Sequence, residues 1–78
     1  MEDRIKKVMS DIFNIDIDLI NNNSSPDNIE NWDSLNQMNL IVCLEEEFNI
    51  LFTDEEVVEM INYPLVKLIL RDKLLLND

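Results

Sequence analysis

The sequence contains no glycine and no histidine, a single cysteine and only two prolines, Pro26 and Pro64. Tight type I′ hairpins need φ > 0 at both central residues, and glycine supplies that most cheaply. Its absence disfavours hairpins and makes an all-α fold the leading class. With no histidine, and no lysine near the serine discussed below, a nucleophilic serine has nothing to activate it. One thiol and no imidazole leave zinc and redox chemistry almost without support. Cys43 can form no intramolecular disulfide, and its place inside an apolar run suits a small packed hydrophobe.

Positive charge is also scarce. Six Lys and Arg stand against 17 Asp and Glu, for a net charge of −11. Arg4, Lys6 and Lys7 lie near one end and Lys67, Arg71 and Lys73 near the other, and the span between carries 13 acidic groups and no basic one. Such a field repels nucleic acid and anionic membrane. It attracts a protein with a basic docking patch and speeds their encounter. No uncharged apolar run approaches the length of a membrane span. Met1-Glu2-Asp3-Arg4 lacks the apolar stretch of a signal peptide, so a cytoplasmic protein is expected. Calcium is disfavoured: Asp16-Ile17-Asp18-Leu19-Ile20 lacks the ligand at the fifth loop position and the glycine at the sixth.

What is present is apolar content, 46% of 78 residues, too much for a disordered acidic tail. The length fits one small domain, residues 1–78. Ile5, Val8, Met9 and Ile12 recur at helical spacing, with Phe13 at the edge, and predict a first helix over 2–13. Residues 14–33 read as a long connection, with a short helical turn near Asp16–Ile20 and turn chemistry in Asn21-Asn22-Asn23-Ser24-Ser25-Pro26. Ile29 and Trp32 are its expected anchors. A second helix spans 34–48 behind Asp33 as N-cap. Thr53 and Glu56 form a capping-box pattern that opens a short third helix running to about Ile61. Pro64 suits the first position of a fourth helix that ends near Leu75. Leu65, Leu68, Ile69 and Leu75 are its expected inner stripe.

The second helix presents two apolar faces. At 100° per residue, Leu40, Ile41, Leu44 and Phe48 share the side expected to meet the core. Leu35, Met38 and Val42 fall on another side and flank Ser34. Exposed apolar residues rimmed by acids mark a protein-interaction patch. Glu45, Glu46 and Glu47 follow, against the sense of the helix dipole. Ser34 itself sits at the start of the helix, exposed and reachable, where another enzyme could modify it. Ser34 with Gln37 three residues later is also a capping-box pattern.

Asp33-Ser34-Leu35, the segment Leu40-Ile41-Val42-Cys43-Leu44-Glu45-Glu46-Glu47-Phe48-Asn49-Ile50 and Thr53-Asp54-Glu55-Glu56 resemble the acyl carrier protein family. The resemblance covers nearly the whole chain and implies a four-helix bundle with a long first loop and a short third helix, and a carrier rather than an enzyme. It implies that Ser34 receives 4′-phosphopantetheine from coenzyme A through a separate phosphopantetheinyl transferase, with Asp33 helping that enzyme and its magnesium engage the serine. The arm would hold acyl groups as thioesters for the acyl-transferring, condensing or ligase enzymes of fatty-acid, polyketide or another specialised biosynthesis. Leu35, Met38, Val42, Glu45 and Glu46 match positions that meet partner enzymes. Val57, Met60 and Ile61 match positions that line a pocket for the acyl chain. The domain is expected to act as a monomer, with no resident metal.

The sequence departs from the family's pattern at three places near the serine. Asn36 and Asn39 stand where fatty-acid carriers usually have acids, and Trp32 replaces the small residue usual before the Asp-Ser pair. These departures suggest a specialised carrier from a dedicated pathway. A peptidyl or aminoacyl carrier, and an unmodified acidic interaction module using the same helix face, are the alternatives.

Overall fold

Asparagine ends the first two helices in this glycine-free chain. A computed structural model describes residues 1–76 and shows α1 (Glu2–Phe13), α2 (Ser34–Phe48), α3 (Asp54–Glu59) and α4 (Tyr63–Leu76), with a 3-10 turn at Ile17–Leu19. Among the described residues there is no β-strand. Asn14 and Asn49, just past α1 and α2, both have φ 54, the left-handed region. Glycine usually fills this position, and asparagine is the side chain that tolerates it best. The Asn14 N–H bonds the Ser10 carbonyl and the Asn49 N–H bonds that of Glu45. Ile15 and Ile50 then bond the same two carbonyls, at 3.2 and 3.1 Å. Two helices are thus closed without a residue of the usual kind.

α1 starts without a side-chain cap, but α2, α3 and α4 are each capped by a side chain where the backbone lacks partners. Asp33 accepts from the Asn36 N–H at 2.8 Å. Thr53 and Glu56 form the reciprocal capping box. Asn62 accepts from the Leu65 N–H at 2.9 Å, so α4 begins at Tyr63. Pro64 therefore occupies the second helical position, not the first as expected. Its missing N–H still falls among the orphan donors and costs no bond.

The core is built from Ile5, Met9 and Phe13 of α1, Leu40, Ile41 and Leu44 of α2, and Tyr63, Val66 and Leu70 of α4. Phe13, expected at the edge of its helix, is fully buried and stacks on Trp32 with ring centroids 4.9 Å apart. The stripe of α4 differs from the expected one. Leu68 is exposed at 42% and Leu75 at 66%, and Leu65 is half-buried. Of the four expected residues only Ile69 packs against the core, and it does so partly. The true stripe is Tyr63, Val66 and Leu70, spaced three and four residues apart on one face of α4. Each fully buried aliphatic or aromatic side chain of this kind contributes about 1.5–3 kcal/mol.

The long connection is held by its own anchors. Ile20, Ile29 and Trp32 are buried, as is Ser24. The Ser24 hydroxyl accepts from the Asn21 N–H and its carbonyl accepts from the Tyr63 N–H, both at 2.9 Å. The turn is thereby pinned to the start of α4. The basic residues clasp the ends of the bundle. Arg4 binds the Glu47 carboxylate at 3.0 Å and its carbonyl at 2.7 Å, and lies over the Phe48 ring. Lys67 and the Tyr63 hydroxyl both donate to Glu2, which holds that carboxyl below its ordinary range. Burial, with Glu2 alongside, pushes the Tyr63 phenol upward and keeps it a donor. Lys73 donates to Glu56 at 2.6 Å.

Two outcomes are expected. Asn49→Gly leaves stability equal or higher, whereas Asn49→Val costs about 1–2 kcal/mol through the left-handed backbone, read by urea unfolding. The Lys73 and Thr53 hydrogen bonds hold the Glu56 carboxyl below its usual value. Its stabilising effect is therefore complete above the ordinary glutamate pKa of ~4.3 and lost as pH falls through the lower folded value. The stability gap between the wild type and Lys73→Met should be constant near neutrality and close on acidification through that window.

Candidate functional site

The backbone at Asp33 is extended (φ −109, ψ −176), and the helix begins at the next residue. Asp33, not Ser34, carries the cap. Ser34 is the first helical residue, exposed, with its hydroxyl left outside the capping interaction. The Ser34–Gln37 capping box considered from the sequence does not form, and Gln37 is used elsewhere. Its Oε1 accepts the indole N–H of Trp32 at 2.7 Å. Its Nε2 donates to the carbonyls of Val57 at 3.3 Å and Met60 at 3.1 Å. One side-chain amide therefore joins the loop before Ser34, the helix that begins with it, and the end of α3.

That end comes earlier than expected. α3 stops at Glu59, and Met60 leaves helical geometry with φ −82 and ψ 65. A helix of six residues has little stability of its own. Gln37 donates to one carbonyl in the last turn of α3, that of Val57, and to that of its C-cap, Met60, and Met60 turns fully into the core. Ile61, expected within the third helix, lies beyond it and is exposed.

Between α2 and α3 lies an open depression of about 490 Å³, with Ser34 on its rim. Met38, Val57, Val58 and Ile61 supply its apolar surface, and Trp32, Gln37 and Met60 also line it. The structure thus brings Ser34, Asp33, Met38, Val57, Met60 and Ile61 together around one groove. Val58, which is exposed at 74%, was not anticipated from the sequence. The only signal was the Val57-Val58 pair, of which one member must face outward on a helix that short.

Leu35, Met38 and Val42 are exposed at 72%, 53% and 48%, running from Ser34 along the outer side of α2. Leu40, Ile41 and Leu44 take the inner side, as the helical spacing predicts. The acids further along are divided by their partners. Glu46 is exposed. Glu45 is half-buried and accepts the Phe52 N–H at 2.9 Å. Glu47 is engaged by Arg4. Part of the acidic run thus secures the turn after α2.

The asparagines near the serine have structural work. Asn31 donates to the Phe13 carbonyl at 2.7 Å, Asn36 to the Asn31 carbonyl at 2.8 Å, and Asn39 to the Asn36 Oδ1 at 3.0 Å. An ionised acid at Asn36 could only accept and would break this chain of donors. Trp32, 4% exposed and stacked on Phe13, lines the same depression as Ser34. Chemically, the site offers an accessible hydroxyl at the N-terminal end of a 15-residue helix, where peptide dipoles favour a negatively charged group. Among the described residues no group of three or more His, Cys, Asp or Glu side chains is placed to hold a metal, and no helix is long and apolar enough to cross a membrane.

No protein-family model matches this chain. Over 56 residues it is 43% identical to the acyl carrier protein of Buchnera aphidicola subsp. Schizaphis graminum (strain Sg), a match that spans 72% of this chain and 71% of that relative.

Asn36→Asp is expected to cost about 0.5–1.5 kcal/mol, the worth of one hydrogen bond. The loss should concentrate at residues 31–36, seen as faster amide exchange there than elsewhere.

Proposed function

Because the chain belongs to the acyl carrier protein family, whose members are carriers and not enzymes, we propose that Ser34 is the attachment point of a 4′-phosphopantetheine arm. The observation that carries this reading is the exposed Ser34 hydroxyl, freed from capping by Asp33 and set at the rim of an apolar groove. The residues present fit the group. A phosphodiester at Ser34 lies at the positive end of α2, and the groove offers apolar surface to whatever extends from it.

In the transfer, a phosphopantetheinyl transferase directs the serine oxygen onto the β-phosphorus of coenzyme A. The new P–O bond replaces the bridging anhydride bond, the hydroxyl proton leaves to the transferase, and adenosine 3′,5′-bisphosphate departs. Asp33 has a carboxylate exposed beside the serine and assists that enzyme and its magnesium. The arm, once attached, holds acyl groups as thioesters. Residues 1–78 act as one carrier domain in this reading.

Leu35, Met38 and Val42 form the apolar centre of the docking surface, with Glu46 and the outer part of Glu45 as its acidic rim. The partners are acyl-transferring, condensing or ligase enzymes with basic patches, in fatty-acid, polyketide or another specialised biosynthesis. Opposite charge raises the encounter rate more than it prolongs the complex, which suits a carrier that must leave each enzyme quickly. The tether raises the local concentration of the acyl group at each docked active site. Val57, Met60 and Ile61 contribute the groove wall nearest the arm.

Incubation with coenzyme A, magnesium and a broad-specificity phosphopantetheinyl transferase should add the mass of one phosphopantetheine, mapped to Ser34. Ser34→Ala should keep the same helical content and gain nothing. Modification at another residue, or of the variant, would overturn the assignment.

A further inference from the structure

We propose that the Trp32–Gln37 pair is a latch that sets cargo size, holding a chain carried at Ser34 on the outer groove and closing the space between α2 and α3 to it. The proposal rests on Ser34 bearing the arm and goes beyond it by assigning where the cargo lies. Three observations support it. First, the interior behind the groove is filled. Trp32 is 4% exposed, Met60 and Leu40 are fully buried, and the Trp32 indole is stacked on Phe13.

Second, the seam between α2 and α3 is closed by polar bonds. A chain sliding inward from Ser34 must part Gln37 from the Val57 and Met60 carbonyls, and then part Trp32 from Gln37. Those groups would be left buried against hydrocarbon, which offers them no hydrogen bond in return. An all-apolar seam could open by exchanging one apolar contact for another. This one cannot.

Third, the apolar surface that remains to the cargo is shallow and outward. Val58 and Ile61 are exposed at 74% and 58%, and with Met38 and Val57 they make an open trough. A short acyl group covers that trough. A long chain would overhang it and stay in contact with water. Trp32 and Gln37 are accordingly specificity-determining residues: neither touches a reacting atom, and both decide which cargo the bundle shelters.

The test compares arm-bearing protein with acetyl and decanoyl thioesters, each confirmed by intact mass. A sequestered chain acts as a ligand for the folded state and raises the melting temperature. The wild type should melt at one temperature whatever the chain length, with Trp32 emission unchanged. Gln37→Leu, which removes the polar seam at similar size, should melt higher with decanoyl than with acetyl. If Gln37→Leu does not fold, Gln37→Met, which removes the same three bonds with an unbranched side chain of similar length, should show the same chain-length dependence. Decanoyl stabilisation of the wild type with a shifted Trp32 emission would overturn the latch. So would variants that remain indifferent to chain length.

Failure of the arm to attach would count against the proposed function alone. The latch would then be read on Ser34→Cys, Cys43→Ala protein carrying a methyl or a decyl disulfide, with the same melts and the same opposing outcomes.

Discussion

Much of this structure depends on one side-chain amide. Gln37 takes the Trp32 indole proton and gives both of its own protons to the carbonyls of Val57 and Met60 at the end of α3. Each of these bonds replaces a contact that water would otherwise supply, so each is modest in net terms, yet leaving any one unmade would be costly in a half-buried place. The geometry matters more than the sum. A six-residue helix and a twenty-residue connection, each unstable alone, are referred to the same point on α2. Ser34 stands three residues before that point, and its position is inherited from it.

α2 divides its residues between two faces. One side supplies Leu40, Ile41 and Leu44 to the core, and the other leaves Leu35, Met38 and Val42 in water. A helix needs only one apolar stripe to fold against its neighbours, so the second is surplus to stability and available for recognition. Asp33 takes the capping task, and the Ser34 hydroxyl stays outside it. Lys73 and Glu56, and Arg4 and Glu47, tie the remaining elements down far from the serine.

Fold class, helix count, the Asp33 cap, the Thr53 capping box and the two faces of α2 were all legible in the sequence, because each rests on local spacing. The position of Ser34 as the exposed first residue of α2 was legible too. The inner face of α4 was misread: the helix carries apolar residues on more than one side, and packing rather than spacing selects Tyr63, Val66 and Leu70. The end of α3 was misread because a residue on another helix, Gln37, sets it. The roles of Asn31, Asn36 and Asn39 were hidden for the same reason. The Asn31 and Asn36 bonds span 18 and 5 residues, which no periodicity encodes, and the local Asn39–Asn36 pair matters only as their continuation. What local chemistry controls could be read, and what a distant amide controls could not.

The basic residues also leave the acids leading into the serine unpaired. Arg4 sits against Glu47, which lies thirteen residues from Ser34 along α2, about 20 Å at 1.5 Å per residue. The acids leading into Ser34, namely Asp27, Glu30 and Asp33, belong to a stretch with no lysine or arginine at all. Among the described residues these three acids form no ion pair, whereas Glu47 is partly neutralised by Arg4. A uniformly acidic sphere would be pulled toward a cationic surface in any attitude. On this one, a cationic surface approaching from the Ser34 side meets carboxylates with no bound cation to displace.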